Sequence, residues 1–222
     1  MAPQSNRSDA PDVSYVKRSD APEPAVPRAD ARRNRARILD AAREALVAEG
    51  TDASLRAIAR RAGVGVGTLY RHFPTREDLI KELVRESFHA LTTRAGGLGA
   101  DVPSLDALAT WLDDFARATT MYQGLPASLM ATIADESSPL NVACHDMRQA
   151  GAALLRRAQD DGVIRGDIDD TDLFALVSAI GWAAEQTATP DARRARLLKV
   201  VIAGLAMRDA GLAMGERTSR ST

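Results

Sequence analysis

The 222-residue chain holds one cysteine, Cys144, so an internal disulfide is excluded. No cluster of Cys and His at metal-ligand spacing accompanies it, and no metal site is expected. No run of about 18 apolar residues occurs, which argues against a helical membrane span. The N-terminus lacks an apolar stretch followed by a small-residue cleavage site, so a secretory signal is not expected either. A reduced, cytoplasmic setting is the resulting expectation. Aromatics make up 4% of the residues, and lysine occurs only as Lys17, Lys81 and Lys199, so arginine carries nearly all the positive charge. Nucleophile–base pairs, paired carboxylates in apolar context and cofactor loops are not evident. The chain does not read as an enzyme, and no cofactor is expected.

What remains is 45% apolar and 27% charged, ordinary for a globular protein. The net charge of −1 hides a split. Arg28 to Arg76 holds eleven arginines against five acidic residues, whereas Glu77 to the C-terminus holds fifteen basic against twenty-one acidic. Such asymmetry points to a nucleic-acid-facing part joined to a neutral-to-acidic remainder. Residues 1–30 contain five prolines and repeat "RSDAP" at 7–11 and 18–22, which reads as a disordered tail. Its basic end, "ARRNRAR" at 31–37, suits either a polyanion or the solvated first turn of a helix.

Beyond the tail the apolar spacing is helical throughout. Ile38, Ala42, Ala45 and Leu46 mark a first helix ending near Gly50. Ser54 is placed to cap a short helix through Arg61, and a second short helix covers about 66–72. Thr75, with Asp78 three residues on, predicts a capped restart whose face carries Ile80, Val84, Phe88 and Leu91 to the break at 96–100. Four further amphipathic faces run from Leu105 to Thr119, Leu140 to Ala158, Leu173 to Ala184 and Leu198 to Leu205, punctuated by Pro103, Pro139 and Pro190. No strand is predicted. The fold class is all-α.

The segment "AGVGVGTLYRHFP" at 62–74 tests that reading, because alternating glycines suggest a phosphate loop. A dinucleotide fingerprint needs G-x-G-x-x-G after a strand, and a P-loop needs Gly-Lys-Ser/Thr; neither is met here. Two short helices crossing steeply explain the residues better, with Ala59 at the crossing, Gly63 in the turn and Leu69 pinning the second helix. Leu69 and Phe73 are expected to face inward.

"ASLRAIARRAGVGVGTLYRHFPTREDLI" then resembles the DNA-binding segment of TetR-family transcriptional regulators, a likeness covering about residues 33–85. Beyond it, the helical pattern and "DGVIRGDIDDTDL" at 161–173 are similar to the family. The resemblance implies a three-helix helix-turn-helix domain at 31–90, with the motif at about 54–73, and a helical effector-binding and dimerisation domain at 91–222. It implies double-stranded operator DNA as partner, a small-molecule effector of unknown identity, and a homodimer. Carried onto this chain, Tyr70 and His72 contact phosphate, Thr68 faces the groove, Val66 meets a thymine methyl, Gly67 permits close backbone approach, Arg71 joins the DNA-binding set, and Ser54 and Thr75 meet phosphate at helix N-termini. Arg56 stands where the founding member carries a base-reading arginine. Gly65 departs from the family, which usually has a capping side chain there.

Trp111, Phe115, Tyr122, Met130, Cys144 and Met147 are the expected effector-pocket residues, since aromatic rings and methionine suit a flat or hydrophobic ligand. Asp113, Asp114, Asp135 and Glu136 nearby leave a cationic amphiphile open. Helices at about 171–187 and 191–209 are expected to pair with a second copy through Phe174, Val177, Trp182, Leu198, Val201 and Leu205. A repressor released by its effector is the leading reading. A constitutive or activating DNA binder without ligand, and a helical enzyme or carrier, are the alternatives.

Overall fold

Two apolar clusters share one long helix in the computed structural model, which describes residues 26–49, 53–119 and 127–207. Among these residues the order is α1 (Val26–Glu49), α2 (Leu55–Arg61), α3 (Val66–His72), α4 (Arg76–Gly96), α5 (Ser104–Thr119), α6 (Ala127–Ala134), α7 (Pro139–Asp160), α8 (Asp170–Glu185) and α9 (Pro190–Leu205). No strand occurs among them; one isolated bridge pairs Ile164 with Ala206. The all-α expectation holds.

The first cluster joins Ile38, Ala42 and Ala45 of α1, Ile58 and Ala59 of α2, Leu69 of α3, Phe73, and Leu79 and Leu83 of α4. The second begins on the next face of α4, at Ile80, Val84, Phe88 and Leu91, and continues through α5, α7, α8 and α9. A boundary at residue 90 therefore falls inside a continuous helix. The cores change hands between Leu79 and Val84, and α4 belongs to both.

Helix α1 begins at Val26, so residues 26–30 are helical rather than part of the expected tail, whose first 25 residues lie outside those described. Ala and Arg are strong helix formers, and Pro27 falls in the first turn, where a missing N–H is tolerated. Ion pairs then fasten α1 to α4: Arg35 to Glu82 at 2.6 Å and Arg43 to Glu86 at 3.1 Å. Burial alone would raise the Glu82 carboxyl, but hydrogen bonds from Arg85 and Arg35 outweigh it and hold it below its ordinary value.

Helix ends follow the residues at them. Thr75 and Asp78 close the predicted capping box on α4. Ser138 caps α7 ahead of Pro139 by accepting from the Leu140 amide at 3.1 Å, and Asp169 caps α8 by accepting from Asp172 at 2.8 Å. Ser54 differs from expectation. Its backbone has N-cap geometry and its carbonyl accepts from Ile58 at 2.9 Å, but its exposed hydroxyl makes no cap bond. Gly63, at φ 62°, takes the left-handed turn that separates α2 from α3. Arg37 of α1 donates to the Gly63 carbonyl at 3.3 Å, tying the turn to the first helix.

The second core is built by close approach. Gly151 of α7 faces the Trp111 ring of α5, and a Cβ at Gly181 of α8 would lie 2.5 Å from the Ala116 carbonyl oxygen. Gly181→Ala is thus expected to force α5 and α8 apart at a cost of about 1–3 kcal/mol. Urea unfolding reads it as a lower midpoint at unchanged slope. An unchanged midpoint would show that the helices yield at no cost.

Candidate DNA interface and effector cavity

The arginine surplus resolves into two groups. Arg33, Arg35, Arg43 and Arg61 are held by carboxylates, Arg61 by Glu44 at 3.5 Å, while Arg37 and Arg76 donate to main-chain carbonyls. Arg32, Arg56 and Arg60 are exposed and have no ion-pair partner among the described residues, and Arg71, also exposed, donates only to the Gly67 carbonyl of its own helix at 3.3 Å. Three of these four lie on α2 and α3 and Arg32 lies on α1, so most of the cations left for an outside polyanion sit on the helix-turn-helix.

Around them the expected contact residues divide cleanly. Leu69 and Phe73 are buried, as expected of an apolar pair four apart. Tyr70, 46% exposed, and Val66, 37% exposed, point outward from α3 together with Gly67 and Arg71. Thr68 and His72 are half-buried at the edge of the same helix. Ser54 and Arg56 are exposed at the start of α2. The start of α4 is brought near them by Arg76, whose Nη2 donates to the Ala53 carbonyl at 2.7 Å. Neither Ser54 nor Gly65 provides a side-chain cap, so the first amides of α2 and α3 have no side-chain acceptor from their caps. Such amides suit phosphate oxygens.

Thr75 is a correction. Its hydroxyl accepts from the Asp78 amide at 3.0 Å and donates to Asp78 Oδ2 at 2.7 Å, and its own amide donates to the same oxygen at 3.1 Å. The Thr75 hydroxyl is thus engaged inside the capping box, with a carboxylate in front of it.

In the second core a cavity of about 330 Å³ opens between α4, α5, α6, α7 and α8. Phe115, Met130, Cys144 and Met147 border it, along with Phe88, Ile133 and Phe174. Burial pushes the Cys144 thiol up, against a smaller opposing effect of Arg148. Trp111 does not border the cavity. It is fully buried, stacked on Phe115 at 5.3 Å between ring centres, and its Nε1 donates to the Leu91 carbonyl at 3.0 Å. Tyr122 lies outside the described residues.

The acidic residues thought to favour a cationic ligand are elsewhere. Asp113 pairs with Arg194 at 2.9 Å and Arg117 at 2.8 Å, Asp114 with Arg94 at 3.0 Å, and Asp135 accepts from Ser137 at 3.0 Å. Glu136 is exposed and does not border the cavity. The charge that does border it is Arg148.

The expected pairing residues of α8 and α9 also need correcting. Phe174, Val177, Leu198 and Leu205 are buried within the chain, where packing against α5 and α7 has claimed them. Val201 is half-buried. Of that set only Trp182 is exposed, at 57%, and the outward apolar residues missed by the sequence are Leu176 and Val200.

Comparison with known proteins places this arrangement. Residues 38–83 match the family described as bacterial regulatory proteins, tetR family, and residues 103–207 match the C-terminal domain of transcriptional regulators that are SbtR-like. A solved TetR transcriptional regulator from Streptomyces coelicolor is 38% identical, with a TM-score of 0.64 over 78% of this chain and 98% of that one. A TetR regulatory protein from Mycobacterium vanbaalenii is 32% identical, with a TM-score of 0.56 over 81% and 99%. The transcriptional repressor KstR2 of Rhodococcus jostii is 28% identical over 78% of this chain and 91% of its own length. An uncharacterised HTH-type regulator of Mycobacterium tuberculosis is 36% identical over 38% of this chain, a match that spans a little under half (46%) of that relative. Two matched domains and a relative covered almost end to end give one conclusion: the chain belongs to the TetR family of bacterial transcriptional regulators.

Proposed function

We propose that the protein is a homodimeric repressor that leaves a pseudo-palindromic operator when a small molecule enters the cavity between α4 and α8. The observation that carries this reading is the double membership of α4. Leu79 and Leu83 pack in the reading head, and one to two turns later Phe88 forms part of the cavity wall. A ligand that moves Phe88 moves a helix whose other end starts beside α2. A coupling of about 1–3 kcal/mol suffices for roughly 5- to 150-fold release. The likeness to a relative named a repressor supports the sign of regulation. The outward residues Leu176 and Trp182 on α8 and Val200 on α9 supply the pairing surface.

Selection from randomised DNA tests the reading, because a dimer with one reading helix per subunit enriches two inverted half-sites about one helical turn apart. Arg56→Ala is expected to lose about 1–3 kcal/mol at one symmetric base position and to relax preference there. Tyr70→Phe removes only the phenolic hydroxyl from an outward ring, so it is expected to weaken all sequences about equally. Enrichment of a single half-site would count against the dimer. Identical profiles for the two variants would refute the division between base and phosphate contacts.

A further inference from the structure

The cavity is polar at one end only. Its apolar walls come from Phe88, Phe115, Ile133, Met147 and Phe174. Two of its hydroxyls are spent on the main chain: Thr119 donates to the Ala116 carbonyl at 2.8 Å and Ser178 to the Phe174 carbonyl at 2.7 Å. Neither has a proton left for a ligand. The donors that remain gather at the mouth, where the Arg148 Nη2 reaches Thr171 Oγ1 at 3.4 Å. Thr171 accepts that bond and keeps its own proton.

Arg148 has no carboxylate within ion-pair distance among the described residues, although Asp170 and Asp172 flank Thr171 in sequence. The segment 120–126 that joins α5 to α6 contains no acidic residue that would neutralise it. Among the described residues no carboxylate borders the cavity. A guanidinium fork and a hydroxyl proton at one end of an aromatic-lined space are complementary to a planar anion on an apolar body. The volume of about 330 Å³ is near the lower limit of ligand pockets, so that body is compact.

Resting on the effector reading of this cavity, we propose that it takes a compact hydrophobic carboxylate, the apolar body against Phe88, Phe115 and Phe174 and the carboxylate against Arg148 and Thr171. This replaces the cationic amphiphile that the acidic residues had left open.

Three probes that differ only in their end group decide it: 4-phenylbutyrate, 4-phenylbutanol and 4-phenylbutylamine, titrated calorimetrically into the full-length protein. Cys144 borders the cavity and is the chain's sole cysteine, so its rate of alkylation by N-ethylmaleimide, read by mass, reports where a probe sits. The carboxylate is expected to bind about tenfold or more tighter than the alcohol, because a hydrogen bond to a charged group outweighs a neutral one. The amine is expected to bind weakest, and the bound carboxylate to slow alkylation. Arg148 is exposed, so Arg148→Gln is expected to keep wild-type helical circular dichroism, and to bring the carboxylate down to the alcohol without changing the alcohol. If alcohol or amine matches the carboxylate and still protects Cys144, or Arg148→Gln leaves the carboxylate unaffected, the carboxylate assignment is overturned while the cavity reading stands. Binding without protection of Cys144 places the carboxylate elsewhere and overturns the assignment. Absence of both binding and protection for all three probes overturns the cavity reading as well.

Discussion

Leu176→Asp combined with Val200→Asp is expected to yield folded monomers that bind operator about 10²- to 10⁴-fold more weakly than the parent. Both side chains are outward, at 43% and 70% exposure, so neither substitution buries a charge within the subunit. In a pair of subunits each aspartate would be desolvated against apolar atoms of the partner, which is costly without a counter-ion. The loss on DNA follows from valency. Two linked reading heads make the second half-site contact intramolecular, and separation removes that gain without touching α3. Sedimentation gives the mass, circular dichroism the helix content, and titration with operator the affinity. Val177→Asp is the contrasting variant, because Val177 is fully buried among α5 and α8 residues and its replacement is expected to unfold the second core. A Leu176→Asp/Val200→Asp protein that remains dimeric would move the interface away from these helices.

The difference between Val177 and Leu176 shows what apolar spacing does and does not say. Periodicity at Leu173, Val177, Ile180 and Ala184 identified an inward face correctly, but it does not tell whether a face meets its own chain or a second one. On the same helix Leu176, which the spacing did not mark, and Trp182, which was expected to pair, both stand outward. The helix-turn-helix was more legible, because its constraints are local: a positive φ at Gly63, a capping box at Thr75 and Asp78, and inward Leu69 and Phe73 follow from adjacent residues. Even there, the same Asp78 that made the cap recognisable also engages the Thr75 hydroxyl expected to meet phosphate. Helix α6 went unread, since eight residues with Leu129 alone fully buried give no period to detect. Arg148 was missed for a different reason. Charge was counted along the sequence, whereas the cavity collects residues from five helices, and the guanidinium that matters comes one turn after Cys144 on α7.

Trp111→Ala is expected to destabilise the second core by about 3–5 kcal/mol. The indole is fully buried, stacked on Phe115 at 5.3 Å and tilted against Phe174 at 5.4 Å, and it gives its N–H to the Leu91 carbonyl. Relaxation has little to work with. The opposing position is Gly151, whose missing Cβ is the space the ring occupies, so no neighbouring side chain stands there to swing into the void. For a chain of this size the loss corresponds to roughly 6–20 °C in Tm. Trp111→Phe keeps the stack and forfeits the hydrogen bond and part of the volume, and is expected to cost much less. The rings that lose support, Phe115 and Phe174, are the ones that wall the cavity, so binding of 4-phenylbutyrate is expected to weaken in Trp111→Ala even below its melting temperature. The inward face of the reading head belongs to a separate cluster, which predicts operator affinity near the parent value while the protein stays folded and paired. Chemical denaturation with calorimetric ligand titration checks each point. A loss of stability below about 1 kcal/mol, with ligand binding still reduced, would return the indole from the core to the residues a ligand touches.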